Sequence, residues 1–239
     1  MAGFKTHIST SGLLGVAYGG VALAYYDVPL PTCVLAGGLC AVSGMLPDLD
    51  SDSGVPLRES VAFASAVAPM LMIERFKQLG MAPETIVLAG ALVYLLIRFG
   101  LASLLRRYTV HRGMFHSLPA AIIAAQVAYL LCCTCEPHLR LYKAGGVFLG
   151  FMSHLLLDEV YSFSFRRGRV GFKKSFGTAL KVWGKSPWGN ISTYGKLAML
   201  TYVVMHDATW MEQAEGVFGP PTHAVHSVAD HVVDHFMTR

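Results

Sequence analysis

Charge is scarce in this chain. Only 14% of its 239 residues are Asp, Glu, Lys or Arg, against about a quarter in an ordinary soluble domain. Too little polar surface is left to cover a water-soluble globule, and a mean hydropathy of +0.48 agrees. Cysteine is sparse as well. Cys33, Cys40, Cys132, Cys133 and Cys135 all fall in apolar stretches. They read as small packed side chains rather than as a disulfide framework or a thiolate zinc site.

What is present is long apolar sequence. A helix needs about 20 apolar residues to cross a bilayer. Residues 8–26, 28–47 and 113–135 carry no Asp, Glu, Lys or Arg, and residues 85–105 are interrupted only by Arg98. Two shorter runs, 60–73 and 144–157, reach spanning length if Arg58 and Glu59 at one end, and Arg140 and Lys143 at the other, snorkel to the interface. A seventh run, 197–210, is broken by His206 and Asp207. The expected fold is therefore all-α, a polytopic membrane bundle of six to seven transmembrane helices. Residues 1–161 would form the bundle, 162–196 a basic aromatic segment, and 197–239 a weak seventh helix with a tail.

With six crossings, the N-terminus, the loops at 46–57 and 106–116, and the segment after 157 share one side. Twelve Lys and Arg residues lie there, against four (Arg75, Lys77, Arg140 and Lys143) on the other. The positive-inside rule makes the richer side cytoplasmic.

Polar residues cluster at the helix ends of that same side. His7 precedes the first span, and Asp48, Asp50 and Asp52 follow the second. His111, Arg112 and His116 join the fourth to the fifth, and His154 and Asp158 close the sixth. His154 and Asp158 are four apart and so share a helix face. The three aspartates alternate, so an extended loop would turn them the same way. Gly113 permits a bend between the two histidines, and Ser117 followed by Pro119 reads as the start of a helix. Ionisable groups at membrane depth are costly and are usually functional. Imidazole nitrogen with carboxylate oxygen suits zinc, manganese or iron. The number of candidates exceeds the needs of one catalytic zinc, which leaves one or two ions open.

Pro47-Asp48-x-Asp50, His111-Arg112-Gly113-x-x-His116-Ser117 and Ser153-His154-x-x-x-Asp158, after an early histidine, resemble the YdjM-like family of membrane-bound, predicted metal-dependent hydrolases. The likeness covers about residues 1–160 in motif order. It implies metal ligation by His7, Asp48, Asp50, His111, His116, His154 and Asp158, and hydrolysis at the membrane. The pattern departs from the family at Phe115, where threonine is usual, and at Glu159-Val160-Tyr161-Ser162, where a Thr-Pro-x-Gly-like turn is usual.

Residues 162–195 hold seven basic and no acidic residues, with Phe and Trp interleaved. Beside membrane spans this composition suits an interfacial segment on anionic headgroups, and no nucleic acid is expected as a partner. Residues 222–236 carry an apolar stripe opposite His223, His226, Asp230 and Asp234, the pattern of an amphipathic surface helix.

The expected protein is a membrane-bound metal-dependent hydrolase of a bacterial inner membrane. Its substrate would be a phosphoester or another lipid-associated compound at the cytoplasmic face. Asp52 or Glu159 would act as general base, and Arg112 would pair with a substrate phosphate. The alternative is a metal-binding membrane protein without catalysis, a sensor or a transporter.

Overall fold

The computed structural model describes residues 3–50, 54–101, 103, 114–132, 136–166, 169–172, 180–184 and 186–207, with the backbone alone for Asp50 and residues 163–172. Among these residues the regular elements are helices and one short hairpin. In chain order come α1 (Phe4–Tyr25), α2 (Leu30–Ser43), a 3-10 turn (Leu46–Asp50), α3 (Val55–Leu71) and α4 (Ile73–Gln78). Next are α5 (Pro83–Leu95), which runs on as a π turn (Leu96–Leu101), then α6 (Leu118–Leu131) and α7 (Pro137–Val160). The antiparallel strands β1 (Phe163–Arg166) and β2 (Arg169–Phe172) follow, with Phe163 opposite Phe172, and then α8 (Pro187–Met205).

Proline starts most of these helices. It stands at the first or second position of α2, α3, α5, α6 and α7, where its fixed φ suits the helix and its missing N–H is no loss. Ser117 caps α6, its hydroxyl accepting from the Ala120 N–H at 3.3 Å, as the sequence predicts.

Among the described residues, two helices are long and apolar enough to cross a membrane: α1, and the α5–π-turn segment over Pro83–Leu101, none of whose apolar window is buried. α2 and α6 are apolar but shorter. Six or seven crossings are thus an expectation that length and composition carry for two helices only.

The centre of the bundle is α1, α2 and α7 in backbone contact. A Cβ on Gly15 would strike the Gly37 carbonyl of α2, and one on Gly150 would strike the Cys40 carbonyl. Small residues that let backbones approach are how helices pack where lipid removes the hydrophobic drive. Ala121 of α6 meets Phe151 and Leu155 of α7 in a buried apolar cluster.

Several expectations need correction. α7 begins at Pro137, so Arg140 and Lys143 lie inside the helix and are buried, Arg140 completely. Arg140 does not snorkel. Its guanidinium donates to the Tyr129 carbonyl at 3.2 and 3.3 Å and lies 4.1 Å over the Tyr129 ring. Its partner is therefore the last turn of α6. α3 starts at Val55 and takes in Arg58 and Glu59, which pair with each other at 2.8 Å on its exposed face. The basic aromatic segment contains the hairpin, and α8 opens at Pro187 and runs across position 196. Cys33, Cys40 and Cys132 are buried. Cys132 stands at Cys-x-x-Cys spacing from Cys135, which lies outside the described residues.

The chain divides into two units, Met1–Thr201 and Tyr202–Arg239. Of the second unit, residues 202–207 are described, and there the His206 ring lies 4.0 Å from that of Tyr202. The amphipathic stripe at 222–236 lies outside the described residues.

Candidate metal centre

Four segments bring polar side chains to one end of the α1–α2–α6–α7 bundle. On α1 the buried residues are His7, Ser11, Gly15, Gly19 and Ala22, a spacing of three and four that defines one helix face. That face packs on α2, where the Ser11 hydroxyl donates to the Ala41 carbonyl at 2.8 Å. His7 is its first member and is carried inward with it.

Beyond α2 the chain tightens into the 3-10 turn, which delivers Asp48. The alternation argument fails for Asp48 and Asp50, whose backbone is turned rather than extended. His116 arrives from the turn ahead of the Ser117 cap, and His154 and Asp158 from successive turns of α7.

Asp158 meets His7 through Oδ1, 3.3 Å from Nε2, and faces His154 Nε2 through Oδ2 at 3.7 Å. Asp48 Oδ1 lies 3.3 Å from His116 Nε2 and 3.6 Å from His154 Nε2. The His7 and His154 rings stack with centroids 3.6 Å apart. Burial is nearly complete: His7 is 3% exposed, His116 6%, His154 1% and Asp158 4%. Asp48 is only partly buried. Burial pushes its carboxyl up, but the adjoining His116 imidazole and the charges of His154, His116 and His7 outweigh this and hold it below the usual carboxylate value.

The arrangement is left incomplete by its own hydrogen bonds. His7 Nδ1, both ring nitrogens of His116 and His154 Nε2 are buried with no hydrogen-bond partner. The short His116–Asp48 approach therefore lacks hydrogen-bond alignment. Each unsatisfied buried group costs about 1–3 kcal/mol, and a divalent cation would convert such nitrogens into ligands. Ligand atoms at about 2.0–2.2 Å from an ion lie at most about 4.4 Å from one another. The contacts of 3.3–3.7 Å fall inside that limit. The ligand atoms fall into two donor groups, His7–His154–Asp158 and Asp48–His116–His154, each with its atoms within 4.8 Å of one another. The donor set fits a metal ion.

Of the ligands that the family resemblance implies, the structure brings together His7, Asp48, His116, His154 and Asp158. His111, Arg112 and Asp52 lie outside the described residues, as does the Asp50 side chain. Glu159 follows Asp158 on α7 and is not one of the grouped donors. Sequence reasoning missed the Gly44 carbonyl, which accepts from His154 Nδ1 at 2.7 Å. A backbone carbonyl leaves no mark in the residue types, although a glycine at a helix C-terminus between two apolar runs is a weak sign of close approach.

Apolar helices around a buried His/Asp cluster that could hold a metal define a helical membrane protein with a candidate metal centre. The model of the YdjM inner membrane protein family matches residues 1–168, a span that includes all five grouped donors. The chain belongs to that family. No curated protein and no solved structure matches it.

Proposed function

We propose that this protein is a metal-dependent hydrolase of the inner membrane, acting on a phosphoester or another lipid-associated substrate at the cytoplasmic face. The observation that carries the reading is the convergence of three imidazoles and two carboxylates from four segments, with ring nitrogens left unsatisfied. The proposal includes six or seven crossings, supported by the run of apolar segments and by the twelve-to-four bias of Lys and Arg.

His7, Asp48, His116, His154 and Asp158 would hold the ion, with His111 and Asp50 as further ligands. Zinc, manganese or iron suits such nitrogen and oxygen donors. A bound ion of this kind lowers the pKa of water and polarises an ester oxygen. The chain's own groups would do the rest. Asp52 or Glu159 would accept the proton of the attacking water, and Arg112 would orient the phosphate through charge-assisted hydrogen bonds. The basic aromatic segment after α7 would keep anionic lipid close.

The test is turnover of phospholipids and simple phosphodiesters by the full chain in detergent, with and without chelator. Chelator-sensitive hydrolysis that His154→Ala abolishes is expected. Activity indifferent to both would overturn the reading. Bound metal without any hydrolysis would favour a sensor or transporter instead.

A further inference from the structure

The two donor groups share one atom. A carbonyl oxygen only accepts, so the 2.7 Å contact between Gly44 O and His154 Nδ1 requires the proton of the neutral ring to sit on Nδ1. The remaining lone pair is on Nε2. That nitrogen is buried and has no hydrogen-bond partner. It stands 3.6 Å from Asp48 Oδ1 on one side and 3.7 Å from Asp158 Oδ2 on the other. One imidazole lone pair binds one cation, so the groups cannot both be filled.

We propose that the described donors form a single-ion site centred on His154 Nε2, with the Gly44 carbonyl as the positioning group that turns that nitrogen inward. Metal-bound histidines commonly donate their second nitrogen to a carbonyl or carboxylate, which fixes both tautomer and ring orientation. Here the fixing group is itself held in place. A Cβ at Gly44 would come within 2.5 Å of both Cβ and Oγ of Ser11. Ser11 lies one helical turn from His7 on the buried face of α1. Any side chain at position 44 therefore pushes on the helix that carries His7 or moves the carbonyl away from His154.

The inference rests on the metal-binding half of the proposed function and not on hydrolysis. The full chain in detergent micelles, stripped with chelator, is titrated with Zn²⁺ by calorimetry, and bound ions are counted by elemental analysis. One equivalent is expected in the unmodified chain and none in His154→Ala. Gly44→Ala should bind about 10–100-fold more weakly, the usual cost of disturbing a group that orients a ligand, with helix content unchanged by circular dichroism. Adding Ser11→Gly to Gly44→Ala removes the obstructing Cβ and should restore most of the affinity.

Two equivalents in the unmodified chain, a full equivalent in His154→Ala, or unchanged affinity in a folded Gly44→Ala would overturn the inference. Stoichiometry is read on the unmodified chain, so a misfolded variant does not shield it. Two equivalents would leave the hydrolase reading standing. One equivalent without turnover would remove the hydrolase reading and leave the single-ion site. No binding at all would remove both.

Discussion

The imidazole of His7 lies flat on that of His154, their planes 11° from parallel, and one carboxylate, Asp158, faces a nitrogen of each ring. The first helix of the chain and the last helix of the family-matched region thus meet through a shared acid. Because Asp158 is 4% exposed, water cannot take over its role when it is changed.

Substitutions at the centre should grade by how many donor contacts they remove. His154→Ala touches both groups and should abolish binding. Asp158→Asn and Asp48→Asn each disable one group and should weaken binding at least tenfold, since even groups that only orient ligands are worth that much. Asp158→Asn should be the more severe, because that acid is buried whereas Asp48 is partly open to solvent. Competition against a chromophoric chelator measures the order.

Acid should expose the role of Asp48 in the metal-free chain. Its folded carboxyl titrates below the usual carboxylate value, held there by the neighbouring imidazoles. The stabilisation it contributes is complete above the unfolded pKa and is lost as pH falls through the folded one. The melting temperature of the metal-free protein should hold from neutrality to about pH 4, the unperturbed value for aspartate, and drop below it. Asp48→Asn should flatten that drop. An unchanged acid limb in Asp48→Asn would contradict this assignment.

Gly150→Ala tests the packing of α7 on α2. The added Cβ meets the Cys40 carbonyl, with the Ser43 hydroxyl beside it. The carbonyl is backbone and cannot turn aside, so the helices must separate. Overpacking of this kind costs about 1–3 kcal/mol and should lower the melting temperature in detergent. Gly38→Ala, on the same helix as Cys40 but with open space around its Cβ, should have little effect.

Topology reporters test the side of the membrane. Fusions after positions 50 and 161 should both report the cytoplasm, and one after 136 the opposite side. Fusions at 50 and 161 on different faces would separate Asp48 from His154 and rule out the shared centre.

Much of the centre was legible because its side chains are chemically conspicuous. An i, i+4 His–Asp pair on an apolar helix and a serine cap before Pro119 are local patterns, and both sit where spacing predicts. Other features depended on tertiary contact. Arg140 reads as a snorkelling flank from the sequence, since nothing local reveals that the Tyr129 carbonyl at the end of α6 will receive it. The turn that delivers Asp48 is 3-10 rather than extended, and an Asp-x-Asp pattern carries no backbone signature that separates the two. α2 and α6 are shorter than the uncharged runs that contain them, because absence of charge marks apolar sequence and not where a helix begins and ends.

The site's donors come from segments scattered between residues 7 and 158, and this bears on how the protein is made. No nascent fragment carries the whole set, so capture of an ion can only follow insertion and docking of every contributing helix. An ion held there would clasp α1 to α7, and at a hundredfold excess over its dissociation constant it would add about 2.7 kcal/mol against their separation.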